Sequence, residues 1–112
     1  MPKREVFHND GDVLNIMTLE FEENFVSKPH YNVGRDELLV VLSGKLEIVF
    51  YDKYLTKVSS EILEKGEWVR IAAESIHQLK VLTSPTKVIE ALGGVFKEGC
   101  CIQLEERIHN VP

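Results

Sequence analysis

The chain has 112 residues, 44% of them hydrophobic and 28% charged, with a formal net charge of −5. That balance suits one globular domain with a single core and argues against disorder. An acidic chain with a pI near 5.3 lacks the clustered Lys and Arg of a nucleic-acid or anionic-membrane binder, and no apolar run approaches the roughly 20 residues of a membrane helix.

The N-terminal segment, MPKREVFHNDGD, is polar, has no apolar stretch of signal-peptide type, and reads as a turn at HNDGD. A cytoplasmic protein is expected, with residues 1–12 and 105–112 as peripheral termini. VLNIMTLEF, Val13 to Phe21, reads as a strand that Glu22, Glu23 and Asn24 stop. Pro29 belongs at a strand start or edge, His30 to Asn32 reads as extended chain, and Val33 to Asp36 as a turn. Leu38 to Leu42 is a short apolar run fit for a buried strand, with a turn at Ser43-Gly44. Lys45 to Tyr51 alternates, placing Leu46, Ile48 and Phe50 on one face. Asp52 to Lys57 is a hairpin tip from which Val58 to Leu63 returns, and residues 64–67 turn again. Trp68 to Ala72, Ile76 to Leu82 and Lys87 to Leu92 read as strands, with turns at Ala73 to Ser75 and at Thr83 to Thr86. Gly93-Gly94 breaks the last of them, and Val95 to Leu104 supplies one or two final short strands. About eight to eleven strands with turn signals every 8–12 residues predict an all-β sandwich or barrel.

Cys100 and Cys101 are adjacent, a spacing that disfavours a mutual disulfide, and no paired Cys or His finger spacing occurs. Two reduced thiols near a strand end are expected.

Chemistry concentrates in KPHYNVGRDELLVVLSG, Lys28 to Gly44. His30 and Asn32 are two apart, so in a strand they share a face. Glu37 opens the next strand, and an acid followed by LLVVL needs a buried partner. His77 shares a face with Leu79 and Val81, so it can point inward from a different strand, while Ile71 builds the neighbouring wall. Two imidazoles and one carboxylate form a 2-His-1-carboxylate set suited to Fe, Mn, Ni, Co or Zn as a divalent ion. Glu90, in VIEAL, reads as an ordinary structural acid rather than a second acid of the site. Tyr31, Arg35, Tyr51 and Arg70 are candidates for the mouth of the site or an interface. Trp68 reads as a packing residue, Glu74 as a solvated rim residue, and His8 and His109 as solvated terminal residues.

These residues carry a resemblance to the cupin superfamily. The first cupin motif runs H-x-H-x4-E-x6-G, and the chain has His30-x-Asn32-x4-Glu37-x6-Gly44. The second runs G-x5-P-x-G-x2-H-x3-N, and the chain keeps its first Gly and its His in Gly66-x5-Ala72-x-Glu74-x2-His77-x3-Val81. The likeness covers residues 25–94. It is closest to small single-domain cupin metalloproteins associated with O-antigen and other polysaccharide biosynthesis. It implies a double-stranded β-helix, the cupin or jelly-roll barrel, spanning residues 1–112 as one domain and assembling as a homodimer. It also implies a divalent transition metal at His30, Asn32, Glu37 and His77, with His30, Glu37 and His77 as the catalytic group. Asn32 departs from the motif's histidine: its carbonyl oxygen is a weak, neutral metal ligand and it lacks imidazole's proton chemistry.

Three functions follow as expectations. The first is a metal-binding cupin that binds or acts on a small polar, sugar-derived metabolite. The second is a metal-free sugar-nucleotide isomerase or epimerase with a barrel histidine as base. The third is a non-catalytic binding module. Whether the chain is an enzyme at all is open from the residues alone.

Overall fold

A computed structural model describes residues 2–104. Among them are eight strands and no helix: β1 (Lys3–Val6), β2 (Leu14–Phe21), β3 (His30–Asn32), β4 (Glu37–Tyr51), β5 (Lys57–Glu64), β6 (Trp68–Ile71), β7 (Ile76–Gly93) and β8 (Cys101–Gln103). All named pairings are antiparallel. The sheet curls on itself, with β2, β3 and β4 all hydrogen-bonded to β7, and β5 and β6 to β4.

Two expected turns do not reverse the chain. β4 runs for 15 residues straight through Ser43-Gly44, and β7 runs for 18 through Thr83 to Thr86. The two strands pair with each other from Glu37↔Leu92 to Tyr51↔Ile76, with register shifts between Val41 and Leu46. The turn-type residues therefore make a shared corner, where both strands bend together. Gly44 sits there with φ +88°, in contact with the Thr86 backbone. The Thr86 hydroxyl ties the corner, donating to Thr83 O at 2.6 Å and accepting from Lys45 N–H at 3.1 Å.

β1 falls within the polar N-terminal segment expected to be peripheral. It is exposed on both faces and pairs only with β2, so it carries no alternation to betray it, and its Lys and Arg suit an open edge. His109 and the rest of the expected C-terminal tail lie outside the described residues.

The core follows the period of two. Leu39 and Val41 from β4, Leu46 and Ile48 beyond the corner, Ile71 from β6 and Val88 from β7 are essentially inaccessible, and Leu19, Phe21, Leu79 and Val81 join them. Each such side chain contributes about 1.5–3 kcal/mol of transfer free energy. Trp68, expected to pack, is instead 60% exposed, because Val69 and Ile71 take the inner face of β6. No helix among the described residues is long and apolar enough to cross a membrane.

Candidate functional site

The bend places polar residues where the two halves of the barrel meet. In the strand ladder His77 lies opposite Phe50 and His30, whereas Glu37 lies opposite Leu92 and Ile71. They meet only across the interior, where His77 Nε2 is 3.1 Å from Glu37 Oε1. Both are buried, His77 completely. All four residues expected at the site, His30, Asn32, Glu37 and His77, are brought together.

The protonation of the two histidines follows from their backbone contacts. His77 Nδ1 is 2.9 Å from Ser75 O, and His30 Nδ1 is 2.8 Å from Lys28 O. A carbonyl only accepts, so in each ring Nδ1 carries the proton and Nε2 of the neutral form carries the lone pair. Burial lowers the pKa of both below the usual histidine value, and for His30 the neighbouring His77 adds to that. The rings stack at a tilt, with centroids 4.3 Å apart. His77 Nε2 faces Glu37 but lies off the line of a hydrogen bond, and it is a buried polar atom without a hydrogen-bond partner.

Asn32 does not turn its carbonyl oxygen to Glu37. Its Nδ2 donates to Glu37 Oε1 at 3.2 Å, orienting the carboxyl. Burial pushes the Glu37 pKa up, while hydrogen bonds from Glu90 and Asn32 and the charge of Arg35 pull against it. Glu90, expected to be an ordinary structural acid, is instead a second acid of the cluster. Burial, the Glu37 charge and a hydrogen bond with Glu37 raise its pKa to about 8. The two carboxyls behave as one coupled acid that still holds a proton at neutral pH. The signal for Glu90 was present in VIEAL: Val88, Glu90 and Leu92 alternate on β7, and Val88 is fully buried.

Above this cluster opens a cavity of about 620 Å³, lined by His30, Asn32, Glu37 and Glu90 among others. Arg35 and Cys101 also reach it. Arg35 is a buried wall residue rather than a rim residue. His8, expected to be solvated, is half-buried on the cavity wall, its Nδ1 accepting from Ile16 N–H at 3.1 Å. Tyr51 and Arg70 look elsewhere: Tyr51 donates to Gln78 Oε1 at 2.6 Å, and Arg70 lies 3.6 Å from Asp36 at the surface. Tyr31 is half-buried and outside the cavity lining. Glu74 is exposed as expected, yet it accepts from Gly34 N–H at 2.7 Å and so steadies the turn ahead of β4. Cys100 and Cys101 are free thiols, the first buried and the second exposed.

The donor chemistry fits a divalent transition ion. Each imidazole has its Nδ1–H anchored on a carbonyl, the arrangement that fixes a ligating histidine, and the orphaned His77 Nε2 would gain a partner. Among the described residues, however, no three His, Cys, Asp or Glu side chains stand in a ready-made chelating arrangement.

No family model matches the sequence, and no curated protein matches it. Solved structures do. The capsular polysaccharide assembling protein CapF from Staphylococcus aureus superposes with a TM-score of 0.78 at 19% identity over 91% of this chain. The chain spans only 30% of CapF's length. A protein with a double-stranded β-helix domain from Klebsiella pneumoniae matches at 0.72 and 12% identity, over 93% of this chain and 84% of that one. A cupin superfamily protein from Desulfitobacterium hafniense matches at 0.67 and 17% identity, over 86% and 79%. The fold is thus the double-stranded β-helix of the cupins, as the resemblance carried by His30, Glu37, Gly44 and His77 implied.

Proposed function

We propose that this cupin-fold protein binds a small polar molecule of sugar size in its cavity and moves a proton on it. The observation that carries this reading is the hydrogen-bonded Glu37–Glu90 pair beside two imidazoles whose Nε2 atoms are unprotonated. Shifting a carbonyl between neighbouring carbons needs a base for the C–H proton and an acid for the carbonyl oxygen. His30 Nε2 is the base, because the ring lines the cavity and its lowered pKa keeps it neutral. The proton held by Glu90 goes to the oxygen, giving the enediol; the imidazolium then protonates the former carbonyl carbon while Glu90 takes the proton of the other hydroxyl, so the carbonyl has moved by one carbon. His77 lies outside the lining and supports from below, while Asn32 holds Glu37 in orientation. The description of CapF as a capsular polysaccharide assembling protein supports a sugar-derived ligand.

A second reading is favoured by the orphaned His77 Nε2. His30, Glu37 and His77, with Asn32 Oδ1 assisting, would hold a divalent transition ion such as Fe, Mn, Ni, Co or Zn. When bound, the ion would supply Lewis acidity toward a carbonyl.

Deuterium wash-in from D₂O next to the carbonyl, across a panel of sugars, sugar acids and nucleotide sugars, separates the readings. The proton-transfer reading expects exchange that survives chelator and falls about 10²–10⁴-fold in His30→Ala. Exchange lost in chelator and restored by one of the ions installs the metal reading in its place. Ligand-induced thermal shifts without exchange, with or without metal, would leave a binding module.

A further inference from the structure

The cavity has a second polar end that this proton transfer does not use. Arg35 stands in the turn before β4, and only 5% of it is exposed. Its Nε–H donates to Gly93 O at 3.1 Å, one Nη2–H to Asn15 Oδ1, and Nη1–H to Cys100 Sγ at 3.7 Å. Two of the acceptors are neutral, and the third is a thiol, a weak acceptor whose pKa burial raises but the Lys97 backbone contact and Arg35 bring below its usual value. Among the described residues no carboxylate forms an ion pair with Arg35, and Glu37 acts on it only at longer range. A buried guanidinium with no carboxylate in direct contact is costly, and two of its five N–H groups remain unassigned. The Phe96 ring lies 5.9 Å from its Cζ. Arg4, exposed on β1, lines the same cavity and likewise has no ion-pair partner among the described residues.

We propose that the ligand of this cavity carries a carboxylate, seated on Arg35 and approached from the rim by Arg4. The proposal rests on the cavity being the ligand site, as proposed above. Two free N–H groups on a planar fork match a planar carboxylate. A phosphate dianion would suffer more from the negative charge of the Glu37–Glu90 pair and of Asp10 at the rim. The spacing also fits. Asn15, which holds Arg35, lies opposite Leu92 on β7, and Glu90 is the preceding residue on that face, about 7 Å along the strand. A carboxylate on Arg35 therefore anchors the ligand in the cavity that Glu90 and His30 also line. The substrate class is a small hydroxy- or oxo-carboxylic acid of the sugar-acid type.

The test is a titration of the metal-free protein by NMR, following the Arg35 Nε–H and Asn15 side-chain amide signals. The probes are D-glucuronate, D-galacturonate, D-glycerate and malonate, with D-glucose and inorganic phosphate as controls. At least one carboxylate should shift both signals, with glucose and phosphate weaker by about tenfold or more. Arg35→Lys should weaken that carboxylate by about tenfold or more, because an ammonium cannot reproduce the fork. Arg4→Gln, at an exposed position that leaves the fold intact, should weaken it about threefold. The proposal is overturned if glucose or phosphate shifts Arg35 as strongly as the best carboxylate, or if no carboxylate shifts it. If glucose then perturbs His30 and Glu90 while Arg35 stays still, the cavity reading stands and only the carboxylate falls. Carboxylate binding at Arg35 without deuterium exchange in any sugar acid gives the converse.

Discussion

Gly44→Ala is expected to destabilise the protein by about 2–6 kcal/mol, a large share of the 5–15 kcal/mol that holds a domain of this size. Two costs combine. A residue with a side chain at φ +88° is strained by about 1–3 kcal/mol. The added Cβ would also lie 2.2 Å from Thr86 Oγ1, 2.7 Å from Thr86 Cα and 2.8 Å from Pro85 O. Two of those atoms are backbone, so relief requires β4 and β7 to part at their shared corner, an overpacking cost of about 1–3 kcal/mol. Gly66→Ala is the matched control: its φ is +85°, but nothing lies within 4 Å of its Cβ position. Urea denaturation of both variants checks the point. Gly44→Ala should lose at least about 1 kcal/mol more than Gly66→Ala, and equal losses would mean that the corner is not a close contact.

The second large effect is on pH. Glu90 has its pKa raised from 4.5 to about 8 in the folded protein. Between those values the native state keeps a proton that the unfolded chain has lost, so stability falls as pH rises through about 8. His30 and His77 work in the other direction. Their pKa values are lowered from 6.5, so the unfolded chain takes up protons first, and stability falls as pH drops below 6.5. The contributions oppose each other between pH 4.5 and 6.5, and from 6.5 to 8 the proton shared by Glu90 and Glu37, whose pKa burial raises in the same sense, governs the fall. Over that interval the metal-free protein should lose at most about 2 kcal/mol. In Glu90→Gln, whose amide can still donate to Glu37, the pair no longer shares a proton and the loss between pH 6.5 and 8 should shrink markedly. Urea midpoints from pH 6 to 9 in the presence of chelator give the answer, and parallel curves for the two proteins would sink the claim.

What was legible in the sequence follows from what local pattern encodes. His30, Glu37 and His77 could be found because strand periodicity gives each an inward face and their spacing resembles the cupin motifs. The corner itself was misread, since Gly44 and Pro85 have the chemistry of chain reversal, and only pairing between two long strands turns it into a bend. Glu90 was legible from the alternation with Val88 and Leu92, but an acid in an apolar strand gains meaning only when Glu37 arrives from across the barrel. Arg35 was not legible as a buried group. It is held by Asn15 and Gly93, 20 and 58 residues away, and no local pattern carries those contacts. Trp68 shows the same limit in reverse, because its outward face is set by the neighbours Val69 and Ile71 rather than by its own apolarity.

The most direct measurement is the protonation state of the cluster itself, by ¹³C and ¹⁵N NMR of metal-free protein at pH 7. The account predicts a Glu90 side-chain carbon in its protonated position, titrating near pH 8, with His30 and His77 neutral and carrying their protons on Nδ1. An ionised Glu90 with an ordinary carboxylate pKa, or histidines protonated on Nε2 at that pH, would contradict it.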